Sequence, residues 1–386
     1  MPFDFDTVLD RRNTGSMKWD KYKDRDVLPL WVADMDFLSP PAVIAALRNR
    51  AENGVFGYTV PTEEAKQAVI DYAQKRHGYK VKPEWIVWSH GLVPALSIAC
   101  RAFANPGEGV LVCTPVYPPM LSCPVNMGRK LIPVALKLEN NQWNFDWPAM
   151  DKAITPDTKI FILCSPHNPV GRAWTRAELT QVGQFCAKHN LVLVSDEIHC
   201  DLVLDDDFTH AITASISPDI EARTVTQLAT SKTFNLPGLA CAFSIIADPK
   251  LRMAFQQAAQ GLVTEINIFG YIGTIAALNH GEPWRLELIA YLRANRDFLY
   301  EFVQTKLPQL KMAPMNATYL AWIDARGLGV DNAAKFFEEA GVGLSPGSMF
   351  GEAGKGFVRL NFGCPRSTLE EALLRMEKAV SSRKAS

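Results

Sequence analysis

The stretch Thr224-Val-Thr-Gln-Leu-Ala-Thr-Ser-Lys-Thr-Phe-Asn-Leu-Pro-Gly-Leu239 joins a β-prone run to a polar turn around Lys232. Residues 224–228 favour a strand, and Pro237-Gly238 then interrupts regular structure. The lysine therefore follows the end of a predicted strand, where α/β sheets usually bind ligands. A single lysine is most often a solvated surface charge, because lysine is rarely buried. Its function has to be judged together with the residues at other strand ends.

Two earlier apolar runs also end in polar residues. Residues 159–164 precede Ser165-Pro-His-Asn-Pro-Val-Gly171, and residues 191–194 precede Ser195-Asp-Glu-Ile-His199. Asn168, Asp196 and Lys232 thus each follow a predicted buried strand. Prolines on both sides of the asparagine restrict its backbone, which suits a side chain that must hold one hydrogen bond rigidly.

This ordered set resembles the fold-type I pyridoxal 5′-phosphate (PLP) enzymes, the aspartate aminotransferase-like group. The resemblance implies an α/β fold, with a large domain built on a mainly parallel seven-stranded sheet between helices and a smaller α+β domain. In that group the asparagine bonds the cofactor's phenolic oxygen, the aspartate pairs with the pyridine nitrogen, and the lysine forms the Schiff base. We therefore expect PLP as cofactor, held by Asn168, Asp196 and Lys232.

The run Trp31-Val-Ala-Asp-Met-Asp-Phe37 narrows the resemblance to one branch. It is similar to a hallmark of the PatB/MalY branch, the cystathionine β-lyase-like C–S lyases, and Asp4-Phe-Asp6 and Met17-Lys-Trp-Asp20 also fit that branch. From its residues alone, the β-prone run is predicted to be a buried strand followed by a turn. In the branch its backbone contacts the substrate carboxylate, which implies that Ala33 binds substrate.

Four further residues match cofactor-binding positions of this group. A short strand, a glycine turn and a helix start predict an anion site at Gly91 and Leu92, because free N–H groups and the positive helix end face the ligand. The resemblance makes them the phosphate cradle. Tyr117, held between prolines, is either a packing residue or the ring that stacks on the pyridine. Tyr58 matches a tyrosine that enters the neighbouring subunit, touches its PLP phosphate and helps to bind substrate, so we expect a homodimer with active sites at the interface.

Two positions depart from the usual aminotransferase pattern. His199 stands where many aminotransferases have a tyrosine bonded to the phenolic oxygen. A histidine at this position matches the PatB/MalY branch, and we expect it to be one of the cofactor-binding residues. Ala240 follows Pro237-Gly238-Leu239 where aminotransferases usually carry a phosphate-binding arginine. The phosphate is then expected to depend on N–H groups, Ser231 and Tyr58. Both departures weaken the transaminase interpretation without excluding it.

Arg359 lies in the predicted strand Gly356-Phe-Val-Arg-Leu-Asn-Phe-Gly363, among apolar residues. A buried arginine has to be paired, so it belongs either to an internal ion pair or to an anion site. In the family an arginine of this segment forks onto the substrate α-carboxylate, which suits guanidinium geometry. We therefore predict that Arg359 binds substrate.

The length of 386 residues exceeds the size at which one hydrophobic core usually stops growing. We expect residues 1–44 to form an N-terminal arm and part of the small domain, residues 45–282 the large PLP-binding domain, and residues 283–386 the C-terminal small domain. The resemblance extends from residue 3 to about residue 375.

Charge and cysteine usage exclude several classes of partner. A formal net charge of −1 argues against a nucleic-acid or membrane partner. The acidic N-terminus lacks the basic segment of a signal peptide. The eight cysteines include no Cys-x-x-Cys pair and are expected to be reduced and mostly buried, rather than to bind a metal. We therefore predict a cytoplasmic protein without a metal site.

The resemblance implies α,β-elimination of L-cystathionine, or of a related cysteine S-conjugate, to a thiol such as homocysteine, with pyruvate and ammonia. Lys232, Asp196 and Tyr117 are the expected catalytic residues, and the released lysine would act as general base at Cα. Three alternatives stay open. The first is a PLP-dependent aminotransferase, the second a regulatory protein that binds a transcription activator as some relatives do, and the third an α/β binding protein without PLP.

Overall fold

The computed structural model of the protein describes residues 3–384, so the outermost two residues of the predicted arm and of the predicted C-terminal domain lie outside the described residues. Within this range the α-helices are α1 (Met17–Asp20), α2 (Pro41–Glu52), α3 (Glu63–His77), α4 (Leu92–Phe103), α5 (Pro118–Asn126), α6 (Trp147–Ala153), α7 (Arg176–Lys188), α8 (Pro218–Glu221), α9 (Pro249–Ala259), α10 (Ile268–His280), α11 (Glu282–Lys306), α12 (Ala333–Glu339) and α13 (Arg366–Lys384). The strands are β1 (Leu28–Pro29), β2 (Ile86–Ser89), β3 (Gly109–Thr114), β4 (Lys130–Ala135), β5 (Lys137–Glu139), β6 (Gln142–Asn144), β7 (Thr158–Cys164), β8 (Val192–Asp196), β9 (Thr224–Leu228), β10 (Ala242–Ile245), β11 (Lys311–Met312), β12 (Leu320–Asp324), β13 (Val342–Gly343), β14 (Ser345–Pro346) and β15 (Phe357–Asn361).

The largest sheet has seven strands in the order β2-β10-β9-β8-β7-β3-β4. Its neighbours from β9 to β4 are parallel, and β10 runs antiparallel to both β9 and β2. Strands β3, β7 and β9 are buried along almost their whole length, as expected for parallel strands covered on both faces by helices. The predicted fold class, a mainly parallel seven-stranded sheet between helices, is confirmed.

Local signals explain where the helices begin and end. Helix α3 starts at Thr62, whose side chain accepts from the Ala65 amide, and it ends at Gly78, which has a φ of 65°. Helix α7 begins with a capping box between Thr175 and Glu178. These signals lie close in sequence, so they favour both helices independently of the rest of the fold.

A second, antiparallel sheet has the order β11-β12-β15-β14. It packs with α11, α12 and α13 around a large apolar cluster that includes Leu320, Leu360 and Phe362. Strand β1 pairs in parallel with β13, so the N-terminal part of the chain joins this C-terminal sheet. No helix within residues 3–384 has both the length and the apolar composition needed to cross a bilayer.

Residues 31–37 are hereafter called the strap, and the structure of this segment differs from the predicted one. The strand expected there is wrong, because this segment is irregular and only Leu28–Pro29 before it pairs as β1. Its carbonyl oxygens accept hydrogen bonds from side chains instead of from the backbone of a neighbouring strand. The hydrogen bonds run from Arg359 and Ser345 to Trp31, from Asn361 to Val32 and Asp34, from Lys232 and Tyr319 to Ala33, from Lys18 to Asp34, from Arg11 and Asn235 to Met35, and from Asn235 to Phe37.

Candidate active site

A cavity of about 270 Å³ lies at the carboxyl ends of β7 and β8, next to the start of α4. This is the edge at which open α/β sheets place their ligands. Nine of the residues predicted from the sequence line it, namely Ala33, Gly91, Leu92, Tyr117, Asn168, Asp196, His199, Ser231 and Lys232. Arg359 does not line the cavity itself but donates a hydrogen bond to Asn168, which does. Tyr58 lies elsewhere, on the surface of the chain.

Asp196 is the last residue of β8, paired in register with Cys164 on one side and Gln227 on the other. It is buried, and burial raises the pKa of its carboxyl group to about 7. The Ile198 amide donates to its Oδ1 over 3.1 Å, and the carboxylate forms no ion pair with any described residue. A buried carboxylate of this kind is suited to a cationic N–H of a ligand.

Lys232 enters the same cavity from the turn after β9. Its Nζ donates a 2.5 Å hydrogen bond to the carbonyl oxygen of Ala33. Burial, and then the positive charge of Arg359, lower the pKa of the amine to about 8. A substantial fraction of this amine is therefore neutral near pH 8, as a nucleophile or a base must be.

Asn168 and Arg359 form one hydrogen-bonded unit, although Asn168 lies in the loop after β7 and Arg359 lies in β15 of the other sheet. Arg359 Nη1 donates to Asn168 Oδ1 over 3.0 Å, and its Nη2 donates to the Trp31 carbonyl over 2.8 Å. Since the Oδ1 of the asparagine is already used, its Nδ2 is left to donate to a ligand oxygen. Burial lowers the pKa of Arg359 to about 10, and the Nε of this guanidinium has no hydrogen-bond partner within residues 3–384.

The amino end of α4 supplies an anion-binding surface. Gly91 precedes the helix with a φ of 132°, a conformation that favours glycine, and no side chain caps the first amides. Ser231 and Ala240 line the cavity as well. Because position 240 is an alanine, this part of the wall carries no guanidinium.

His199 and Tyr117 complete the wall. Burial, followed by the charges of Lys232 and Arg359, lowers the pKa of His199 to about 3, so its imidazole is neutral. The Nδ1 of that ring has no partner within the described part of the chain. Tyr117 caps the start of α5, and burial raises the pKa of its hydroxyl group to about 12. Both rings are thus uncharged at neutral pH.

Tyr58 does not meet the other predicted residues within one chain. Its side chain is fully exposed, and the neighbouring Val55, Phe56 and Val60 are also exposed. A run of exposed apolar side chains of this kind is typical of a protein–protein contact.

Sequence reasoning missed several residues of the site. Tyr319 donates to the Ala33 carbonyl over 3.1 Å, and its polar hydroxyl just before an apolar run was the available signal. Cys164 lines the cavity because it ends β7 beside Asp196. Cys241 and His90 also line it, and no sequence signal pointed to them. All eight cysteines are free and buried, as predicted.

Another polar cluster lies outside the cavity. His77, Cys200 and Asp201 bring donor atoms within 4.8 Å of one another. The hydroxyl of Tyr72 lies 2.8 Å from Asp201 Oδ2, 3.1 Å from His77 Nε2 and 3.3 Å from Cys200 Sγ. Arg76 lies 3.6 Å from the same carboxylate, so the cluster is a hydrogen-bonded network that already includes a cation.

The residues present fit PLP. The carboxylate of Asp196 suits the pyridine N–H, the amine of Lys232 suits the aldehyde carbon, and the uncapped end of α4 suits the phosphate. The free Nδ2 of Asn168 suits the phenolic oxygen. Four separate chemical requirements are thus met around one cavity.

Comparison with known proteins gives consistent matches. The family model for aminotransferase class I and II matches residues 25–376. Cystathionine β-lyase PatB of Bacillus subtilis is 40% identical over 387 residues, covering 98% of this chain and 100% of PatB. Among solved structures, OvoB has a TM-score of 0.95 at 43% identity, covering 98% of this chain and 100% of that chain. Cystalysin from Treponema denticola, which contains a PLP cofactor, has a TM-score of 0.94 at 34% identity, covering 99% of this chain and 100% of its own.

Proposed function

The chain belongs to the aminotransferase class I and II family and to its PatB/MalY branch, and from this premise we propose that it is a PLP-dependent C–S lyase. Its reaction is the α,β-elimination of L-cystathionine, or of a related cysteine S-conjugate, to a thiol, pyruvate and ammonia. The observation that carries the proposal is the convergence of Asn168, Asp196 and Lys232 on one cavity, in a chain similar to cystathionine β-lyases over nearly its whole length.

Bound PLP supplies an electron sink for the substrate Cα, which makes the Cα proton acidic and allows a sulfur substituent on Cβ to leave. The amine of Lys232 would hold the cofactor through its aldehyde carbon, and the same amine would serve as the base for the substrate's Cα proton. Asp196 keeps a proton on the pyridine nitrogen, because a fixed negative charge favours the charged form of a neighbouring base. Tyr117 provides a flat, uncharged ring that excludes water from one side of the cavity.

Substrate binding is assigned to Arg359 and Ala33. The guanidinium can donate to a carboxylate in place of some of its present contacts, and such forked pairs are stronger than hydrogen bonds between neutral groups. The Ala33 amide has no hydrogen-bond partner within residues 3–384, so it can donate to the same carboxylate. The Ala33 amide belongs to the strap, and Arg359 donates to the Trp31 carbonyl of the strap, so the strap fixes the Cα end of the substrate relative to Lys232.

The phosphate is assigned to the amides of Gly91 and Leu92, to Ser231, and to Tyr58 of a neighbouring subunit. His199 is assigned to the phenolic side of the cofactor as a neutral ring. Because Tyr58 is fully exposed within one chain, the proposal includes a homodimer. We further propose a cytoplasmic location and domain boundaries near residues 44 and 282.

The test is an absorbance spectrum of the purified protein before and after L-cystathionine is added, with pyruvate and thiol assayed in the same cuvette. A visible cofactor band with release of both products is the expected result. A band without pyruvate, together with amino-group transfer to an added 2-oxo acid, would replace the lyase by an aminotransferase. The absence of any band after PLP is supplied would contradict the role of Lys232.

A further inference from the structure

The strap binds two side chains of the site through its backbone carbonyl groups. Its Ala33 carbonyl accepts from Lys232 Nζ at 2.5 Å and from the Tyr319 hydroxyl at 3.1 Å. The carbonyl of Trp31 accepts from Arg359 at 2.8 Å. The position of this short irregular segment therefore decides where two functional side chains are held.

A buried ion pair and several hydrogen bonds hold the strap on its other side. Asp36 Oδ2 lies 2.7 Å from Lys18 Nζ, and their side chains are 4% and 0% exposed. Lys18 Nζ also donates to the Asp34 carbonyl over 3.0 Å, one residue beyond Ala33. The other carboxylate oxygen of Asp36 accepts from Trp19 Nε1 and from Arg11 Nη1, each over 2.8 Å.

A fully buried ion pair is a weak source of stability, because removing two charges from water offsets much of their attraction. A buried ion pair can instead serve to hold the backbone segments that it joins in one arrangement, and this role can be tested in each protein. Here the pair joins the segment around α1 to the strap, two stretches that are separate in sequence. Its direct consequence is to fix the backbone at Asp34 and Asp36, on the carboxyl side of the Ala33 carbonyl.

We infer that the buried Lys18–Asp36 pair is a positioning element of the active site, which holds the Ala33 carbonyl where the free amine of Lys232 donates to it. One N–H of the amine then points to the strap. Because the bonds of a tetrahedral nitrogen have fixed angles, this contact restricts the directions in which the nitrogen lone pair can point. The inference rests on the proposed function, in which this amine removes the Cα proton. Displacing a catalytic group by about 1 Å costs roughly 100-fold in rate, so small movements of the strap matter.

The test compares three single holoenzyme variants, and the double variant of the first two, with the parent. Asp36→Asn keeps the shape of the side chain and removes its charge, and Lys18→Met removes the partner. Glu338→Gln is the matched control, because it makes the same carboxylate-to-amide change on a residue that binds Tyr22 and Arg25 but does not contact the strap. The readouts are kcat and KM for elimination, the pH titration of the cofactor's visible absorbance, and thermal melting.

We expect Asp36→Asn and Lys18→Met each to lower kcat by about 10- to 100-fold with a smaller rise in KM, because a misplaced base slows the chemical step while Arg359 remains to bind the substrate carboxylate. Each should also move the midpoint of the absorbance titration, whereas Glu338→Gln should move neither quantity. The double variant should resemble either single one, because both changes break the same contact.

A variant that melts at a lower temperature but retains the parent's kcat and titration midpoint would overturn the inference, since the pair would then be structural alone. If Asp36→Asn does not fold, Lys18→Met decides, because Asp36 keeps its bonds to Trp19 and Arg11 in that variant. If the parent shows the cofactor band but releases no pyruvate, the proposed function fails. The absorbance titrations of the variants and the parent still test whether the Lys18–Asp36 pair positions Lys232.

Discussion

The amine of Lys232 donates its hydrogen bond to the backbone carbonyl of Ala33, a residue 199 positions earlier in the chain. The lysine follows a strand of the seven-stranded sheet, and the alanine belongs to an irregular segment fastened to the C-terminal sheet. The functional amine is therefore located by two separate parts of the fold, and its surroundings lower its pKa to about 8.

Replacing Lys232 by alanine should abolish the visible cofactor band and lower kcat by more than about 1,000-fold, because both the covalent link and the general base are lost. The measurement is the absorbance spectrum with the pyruvate assay. Lys250→Ala is the control, because Lys250 is an exposed lysine on α9. Retention of the band in Lys232→Ala would remove the lysine from its proposed role.

Uptake of PLP by the cofactor-free protein should depend on pH. A lowered pKa means that the neutral, nucleophilic amine of Lys232 accumulates as the pH rises through about 8, and not only above its ordinary value of 10.5. The rate at which the band appears after mixing, measured from pH 6.5 to 9.5, should therefore rise and level off near the top of this range. A rate that still rises steeply at the highest pH would contradict the lowered pKa.

Asp196→Asn should stabilise the cofactor-free protein at alkaline pH while it impairs the enzyme. The pKa of Asp196 is raised from 3.8 to about 7, so the buried carboxyl group opposes folding increasingly as the pH rises from about 4 to 7. One pKa unit corresponds to about 1.4 kcal/mol, so the variant should gain up to a few kcal/mol above pH 7 and nothing below about pH 4. Denaturant unfolding at several pH values measures this difference, and a pH-independent difference would contradict it.

Arg359→Lys should raise KM by about 10- to 100-fold with a smaller change in kcat, because lysine cannot form the forked contact with a carboxylate. Steady-state kinetics with L-cystathionine measure the effect. Arg326→Lys serves as control, since Arg326 is exposed and pairs with Asp324 at the end of β12. An unchanged KM would assign the α-carboxylate to other groups.

Tyr58→Phe should weaken cofactor affinity by about 10-fold, the effect of losing one hydrogen bond to a charged group. It should do so although Tyr58 is fully exposed and does not line the cavity of its own chain. Equilibrium dialysis with PLP measures the affinity, and sedimentation measures the oligomeric state. A monomeric protein with unchanged affinity in the variant would contradict the intersubunit contact, and Tyr300→Phe controls for loss of a tyrosine hydroxyl at another position.

Most of the site could be predicted from sequence because its residues follow β-prone runs of strong local character. Asp196 ends β8, Asn168 and Lys232 lie in the turns that follow β7 and β9, and parallel strands bring their carboxyl ends to one edge. The helix over residues 63–77 was predictable for the same reason, since its cap and its apolar spacing are local signals.

The strap was not predictable in this way. Residues 31–37 have the composition of a strand, but their carbonyl oxygens bind side chains from distant parts of the chain, and no local signal reports such partners. The bond between Tyr319 and Ala33 and the burial of Lys18 against Asp36 have the same origin. By itself, then, the sequence determined the strands of the site, their ends and the chemical types placed there, because these follow from short-range patterns, whereas the seven-stranded sheet was expected from the family resemblance. Only the tertiary structure decided the position of the functional amine, because buried charges and backbone carbonyls find their partners through packing between segments that are far apart in the chain.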